Sequence, residues 1–137
     1  MSQVIKHLPA LLLAAFLVMM GAQKFGAENI IFTTIAERSG IALFEPGVRM
    51  LTGILEIVAA LLLIVPKLRS LGALLSFGLI GGAILFHLSP WLGIKVSLEP
   101  GAPATAMLFS MAVASFLLTC FVLFQNRHAI PLVSSKQ

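Results

Sequence analysis

The stretch Arg49–Pro66, RMLTGILEIVAALLLIVP, limits the fold more than any other part of the chain. It is long enough, as an α-helix rising about 1.5 Å per residue, to cross a hydrocarbon core of about 30 Å. It carries one carboxylate, Glu56, in an otherwise apolar run. A charged group at mid-bilayer costs about 2.5–3.5 kcal/mol on insertion scales, so such residues face a bundle interior or a wet cavity and have a partner. Arg49 lies seven residues earlier, two helical turns away, and its side chain leaves the helix on the same side. In a purely structural role Glu56 is expected to bond to Arg49 or to a hydroxyl on a neighbouring helix. Whether its carboxyl is ionised or carries its proton stays open at this level.

Three further runs match this one. Spans are predicted at about 8–25, 48–65, 71–88 and 104–124. The composition requires them: 59% of residues are hydrophobic and only 10% charged, with a mean hydropathy of +1.06. Soluble domains are about 25% charged. The first run has a basic flank at Lys6 and could pass for a signal peptide, but Met20 stands where a small residue is wanted before Ala22. Pro9 is placed in the first turn, where its missing N–H does no harm. All seven prolines are read as lying at span edges or in loops. The expected fold is therefore all-α: a single polytopic domain over the 137 residues, an antiparallel bundle of four transmembrane helices.

The connections have their own pattern. Ile31 and Ile35 share a helical face between Gly26 and Pro46, which predicts a short interfacial helix ended by Ser39-Gly40. An amphipathic connector is the plainer role for it, and a lid over a site the sharper one. Ile41–Phe44 then dips back toward lipid, and Pro46-Gly47 opens the second span. Lys67-Leu68-Arg69-Ser70 is a tight basic turn, and Ser89-Pro90 stops the third span. Trp91, in the loop from Pro90 to Pro103, suits an interfacial anchor. Gly78 and Gly82 form a GxxxG pair, and Ala106, Ser110 and Ala114 a small-residue face, both expected to let helices approach closely.

The net charge of +4 comes from scattered residues, which does not suggest a nucleic-acid surface and fits topology signals; no nucleic-acid partner is expected. Lys6, Lys67, Arg69, Arg127 and Lys136 fall on the side of the termini without an acid among them. Lys24, Arg38, Arg49 and Lys95 fall on the other side, balanced by Glu28, Glu37, Glu45 and Glu99. The positive-inside rule puts both termini in the cytoplasm. In this topology Lys24 ends the first helix, Arg49 begins the second and His87 ends the third, all toward the outer leaflet, with Glu56 about 10 Å deeper than Arg49. Glu45, four residues before Arg49, is a candidate partner for it.

Lys24, Arg49, Glu56 and His87 are the candidate site: cations, an intramembrane carboxylate and a histidine that can bind a polar headgroup or pass protons. Each has a plainer role beside this one. Arg49 can snorkel to lipid phosphates, and His87 can be an interfacial residue with a satisfied ring. His7, His87 and His128 are too far apart to suggest a metal site, and no intrinsic cofactor is expected. His87 is the one sensible axial ligand for a haem on that side, and a weak one. The single cysteine, Cys120, reads as a small buried residue and excludes disulfide chemistry within the chain.

Three segments carry a family resemblance: GAQKFG at Gly21–Gly26, FEPGVRMLTGILEIVAALLLIVP at Phe44–Pro66 and GAILFHLS at Gly82–Ser89. Together, and most tellingly in the R-x3-G-x2-E arrangement with the later A-x3-H, they resemble the DoxX and DoxX-like family of small four-helix membrane proteins. The likeness runs from about residue 10 to residue 124. It implies an antiparallel four-helix bundle in the bacterial inner membrane. It links the chain more loosely to redox and stress functions, since the family's name comes from a subunit connected with thiosulfate:quinone oxidoreduction. Lys24, Arg49, Glu56 and His87 fall on the polar positions of that pattern, which brings no catalytic assignment with it.

Three functions follow from these residues. A redox-associated protein would bind a quinone or similar lipophilic molecule near Arg49, Glu56 and His87. Having no redox centre of its own, it would take electrons from a partner subunit. A proton-coupled transporter, as a homo-oligomer, would use Glu56 as its carboxylate. Small multidrug exporters place theirs in the first helix among aromatic residues, whereas this first span has no acid and the chain no tyrosine. A non-catalytic scaffold would use the small-residue faces alone.

Overall fold

The computed structural model describes residues 2–26, 29–97, 99 and 101–129. Among these residues it has five α-helices: α1 (Ser2–Ala22), α2 (Ile30–Ser39), α3 (Gly47–Ile64), α4 (Arg69–Leu88) and α5 (Met107–Gln125). Helices α1, α3, α4 and α5 belong to four segments long and apolar enough to cross a membrane: Val4–Phe25, Ala42–Ile64, Pro66–Leu88 and Met107–Gln125. Their outer faces carry exposed Leu85, Leu117 and Phe124. Water would penalise that surface and hydrocarbon does not, while the helices satisfy their own backbone polar groups. The protein is all-α and multi-pass, as its composition predicts.

The four long helices form a closed ring in which α1 packs on α3, α3 on α4, α4 on α5 and α5 back on α1. Neighbours run antiparallel. A turn at Pro66–Leu68 reverses α3 into α4, and Gln125 at the end of α5 reaches Ile5 near the start of α1. One end of the bundle therefore holds the ends of α1 and α5 nearest the termini (the terminal end), and the other holds both long connections (the lid end). The dry core lies toward the terminal end, where Ala10, Leu13, Ala59, Ala60, Leu63, Ala73 and Val122 meet.

Three expectations about the spans are corrected. Helix α1 begins at Ser2, six residues before the predicted edge, and Pro9 stands inside it. A proline cannot donate to the carbonyl four residues earlier, here that of Ile5. The Nε2 of Gln125 supplies the missing bond at 3.3 Å, so the defect becomes a tie between α1 and α5. Helix α5 begins at Met107 instead of 104, because Thr105 is held in extended form by paired backbone bonds to Val96, each 2.9 Å. The small-residue faces are also elsewhere. Ser110 and Ala114 are exposed, and α5 buries Ala112, Ser115, Thr119 and Val122 instead. Pro100, Pro131, Glu28 and Lys136 lie outside the described residues.

The GxxxG pair is corrected in the same way. A Cβ built on Gly78 or Gly82 would meet nothing within 4 Å. Close approach occurs at Gly72, whose Cβ would sit 2.7 Å from the Leu63 backbone nitrogen and 3.0 Å from the Ala59 carbonyl oxygen. It also occurs where α1 crosses α3. A Cβ on Gly21 would lie 3.2 Å from the Gly53 carbonyl, and one on Gly53 would lie 3.2 Å from the Gly21 carbonyl. These contacts predict a contrast. Gly72→Ala should lower the unfolding free energy in detergent by about 1–3 kcal/mol, the usual cost of overpacking. Gly78→Ala should leave it unchanged. Equal effects in a reversible denaturation series would refute the assignment of the α3–α4 contact.

Candidate functional site

Each member of the Gly21/Gly53 crossing is followed three residues later by a charge, Lys24 on one chain segment and Glu56 on the other. Backbones this close bring the two charges together. Lys24 Nζ lies 2.9 Å from Glu56 Oε1 and 3.0 Å from Oε2, and also donates to the Met20 carbonyl at 3.2 Å. Both residues are 8% exposed. The partner of Glu56 is thus Lys24, not Arg49. The residue spacing within one helix pointed to Arg49, and the helix crossing decides for Lys24.

Arg49 is 2% exposed and serves the pair from behind instead of snorkelling to lipid phosphates. Its Nη1 donates to the carbonyls of Lys24, at 2.5 Å, and Gly26, at 2.8 Å. These oxygens belong to the tight turn Gln23–Phe25 and the residue after it, just beyond the end of α1, where a cation complements the helix dipole. Its Nε donates to Glu45 Oε1 at 2.6 Å, the expected i,i+4 pair. The other oxygen of Glu45 accepts from the Asn29 backbone N–H at 3.3 Å. Asn29 in turn caps α2, its Oδ1 accepting from Ile31 N–H at 3.0 Å and Phe32 N–H at 3.4 Å. A continuous polar chain therefore runs from the start of α2 through Glu45, Arg49 and Lys24 to Glu56.

His87 ends on the same side but in a separate arrangement. It is 6% exposed, and its Nδ1–H donates to the Gly93 carbonyl at 2.9 Å. A carbonyl only accepts, so this bond assigns the Nδ1 proton and leaves Nε2 as the ring's second polar position. Phe109 of α5 meets the ring edge-on at 5.7 Å between centroids.

Lys24, Asn29, Glu56 and His87 border one cavity of about 370 Å³ in the lid half of the bundle, within the usual range for small-molecule sites. Phe16, Leu17 and Met20 of α1, Val48 and Thr52 of α3, Leu79 and Phe86 of α4, and Leu108 and Met111 of α5 give it apolar walls. Lys24, Glu56 and His87 supply charge and hydrogen bonding on these walls, and Gln23, Asn29 and Ser115 add further polar groups. Ile31, Phe32 and Ile35 of α2 form part of its boundary. Helix α2 is thus a cover over the cavity, beyond the plain connector that its periodicity suggested. Gly40, at φ +76°, closes it with an N–H bond to the Ala36 carbonyl. Ile35 packs on Leu92 and Val96 of the second loop, and Arg38 donates to the Leu92 carbonyl at 3.3 Å.

Of the four sequence candidates, Lys24, Glu56 and His87 line the cavity, and Arg49 holds Lys24 in place from outside its lining. The sequence reading missed Asn29 and Ser115. Asn29 was legible as an N-cap before the Ile31/Ile35 periodicity. Ser115 gave no signal apart from its small size. Arg69, read as part of a basic turn, is buried, with its Nε on the Leu63 carbonyl at 2.8 Å and its Nη1 3.0 Å from His7 Nδ1. Among the described residues, no group of three His, Cys, Asp or Glu side chains could hold a metal ion. The fold and site define a multi-pass helical membrane protein with a covered interior cavity. No family profile, curated protein or solved structure matches the chain.

Breaking a buried ion pair from one side leaves an uncompensated charge, at a typical cost of about 3–5 kcal/mol. Lys24→Met alone and Glu56→Leu alone should each destabilise the protein by that order. The double variant should recover most of the loss, because no buried charge then remains. Additive losses in the double-mutant cycle would show that the two side chains are not coupled.

Proposed function

We propose that this protein is a DoxX-like protein of the bacterial inner membrane that binds a quinone or a similar lipophilic small molecule in a redox-associated role. The observation that carries this reading is the covered cavity, apolar over most of its wall and bordered by Lys24, Glu56 and His87. A quinone needs an apolar channel for its body and proton donors or acceptors near its carbonyls. Lys24 donates, Glu56 accepts, and His87 Nε2 can accept a proton from a ligand hydroxyl or, once protonated, donate one to a carbonyl oxygen. The bound quinone would supply the electron chemistry. The chain's own residues would hold it, exclude water and move protons at its oxygens.

The distribution of Lys and Arg favours cytoplasmic termini, which sets the lid end toward the outer leaflet. Electrons would then arrive from a partner subunit. The R-x3-G-x2-E and A-x3-H residues supporting the family reading are Arg49, Gly53, Glu56, Ala83 and His87. Gly53 acquires a physical reason from its crossing with Gly21, and Arg49 one from its hold on the Lys24 turn.

The test is a purification that retains native lipid, followed by mass spectrometry of everything that copurifies, with wild type beside Glu56→Gln. A defined quinone should accompany the wild type and be depleted at least tenfold in the variant. A copurifying redox subunit would support the accessory role. Bulk phospholipid alone, equal in both samples, would reject the quinone reading in favour of a scaffold.

A further inference from the structure

The cavity is not confined to the buried side of α4. Ile80 and His87 of its lining lie on the buried face of that helix. Gly78 and Gly82 also border it, and Gly78 is exposed. At 100° per residue Gly78 points about 160° away from Ile80 and about 180° away from His87. A void bordered by both faces must pass round the helix. The same two glycines border a second, shallower groove on the outer surface, walled by Phe77, Leu85 and Phe116. Gly78 and Gly82 are therefore common to the borders of cavity and groove.

The route round α4 can be assigned to one side. Toward α5 the surface is filled: Phe77 and Phe116 stack at 4.9 Å between centroids, and a Cβ on Gly81 would touch the Phe116 ring at 3.6 Å. Toward α3, the cavity borders Leu79, Ala83 and Phe86 on α4 and Val48 and Thr52 on α3. Helices α3 and α4 are in backbone contact at Gly72, near the terminal end, and nearer the lid end residues of both border the cavity. The opening runs from the lid end to mid-bundle. Val48 and Phe86 lie within about 3 Å of the lid ends of their helices. Gly78 is nine residues from the start of α4, about 13 Å along the axis, near the middle of a bilayer core of about 30 Å.

We infer that the cavity is entered sideways from the hydrocarbon, between α3 and α4, and that its ligand is a neutral-headed amphiphile whose long apolar tail lies over Gly78 and Gly82. A molecule whose tail lies at mid-bilayer enters through hydrocarbon, where a head without net charge passes at the lowest cost. Two adjacent glycines on one helical face leave a trough where a chain can lie, and the cavity beyond takes the polar end. This rests on the cavity reading above and goes beyond it, since it fixes the route, the tail and the charge of the ligand.

The test compares four probes by native mass spectrometry of the purified protein. They are a benzoquinone with a long isoprenoid tail, the same ring without the tail, a long-chain monoacylglycerol and an anionic phosphatidylglycerol. In Gly78→Leu/Gly82→Leu, affinity for the tailed quinone should fall at least tenfold, while that for the bare ring stays within twofold. Gly78→Ala/Gly82→Ala should bind like wild type, since a Cβ at either site has room. Equal losses for ring and tailed quinone, or no loss for either, would overturn the inference. So would phosphatidylglycerol binding as tightly as the neutral probes, or a Leu variant that changes only the oligomer mass. If the wild type binds monoacylglycerol but neither quinone, with the same dependence on the two glycines, the side entrance stands and the quinone reading falls. If it binds none of the probes, both fall.

Discussion

The Lys24–Glu56 pair is the contact on which the lid half of the bundle depends. Two opposite charges in hydrocarbon are tolerable only when held within hydrogen-bonding distance and when their remaining polar groups are also met. The Gly21/Gly53 crossing supplies the approach, because each glycine leaves room for the other's carbonyl. Lys24 also meets the Met20 carbonyl, and Arg49 holds the turn that carries Lys24. Glu45 then balances Arg49 and reaches the first residues of the cover. Two cations and two carboxylates are thus placed with no net charge, and the same network reaches the backbone at Lys24, Gly26 and Asn29. A hydrophobic replacement of the pair could be equally stable. The pair stands in the cavity wall, where its polar atoms are within reach of the interior space.

The two halves of the bundle differ for reasons visible in their side chains. Toward the terminal end, alanines and leucines from α1, α3 and α4 interlock at full burial, with Gly72 drawing α3 and α4 into backbone contact. Buried hydroxyls there and at mid-bundle are satisfied locally. Ser76 donates to the Gly72 carbonyl at 2.7 Å and Thr119 to the Ser115 carbonyl at 2.8 Å. They therefore cost little without linking helices. Toward the lid end there is no such dry core, and the space becomes the cavity. Its closure comes from loops and α2 instead, with a small cluster of Ile35, Leu92 and Val96 as its packed centre.

Much of this was legible in sequence, and the misses share a cause. Span number, the interfacial helix, its Gly40 stop and the Glu45–Arg49 pair are properties of one segment, set by periodicity and capping. Three of the four site candidates reached the cavity because ionisable residues in apolar runs have few other places to go. The errors came where two segments meet. Arg49 looked like the partner of Glu56 because spacing along one helix is visible, whereas the crossing that brings Lys24 closer is not. Gly78 and Gly82 looked like a packing motif, but the packing glycines are Gly21, Gly53 and Gly72, which lack that spacing. Pro9 sits inside a helix because Gln125, over a hundred residues later, replaces the bond it removes.

The placement of α2 bears on the choice between binding and transport. Its start is tied through Asn29 to Glu45, and its end through Arg38 to the second loop, so polar contacts hold the rim while apolar side chains line the space beneath. A transporter working through the bundle would need the cavity to open by turns at both ends. Among the described residues, the terminal end is closed by the bundle helices themselves. Its closure is made of fully buried alanine and leucine packing, and reopening it would separate helices across their tightest contact at Gly72. The lid end rests instead on a few polar ties and one small apolar cluster. A cavity in the lid half, bordered by α2 and set against a packed terminal half, is the feature on which the proposed binding role rests.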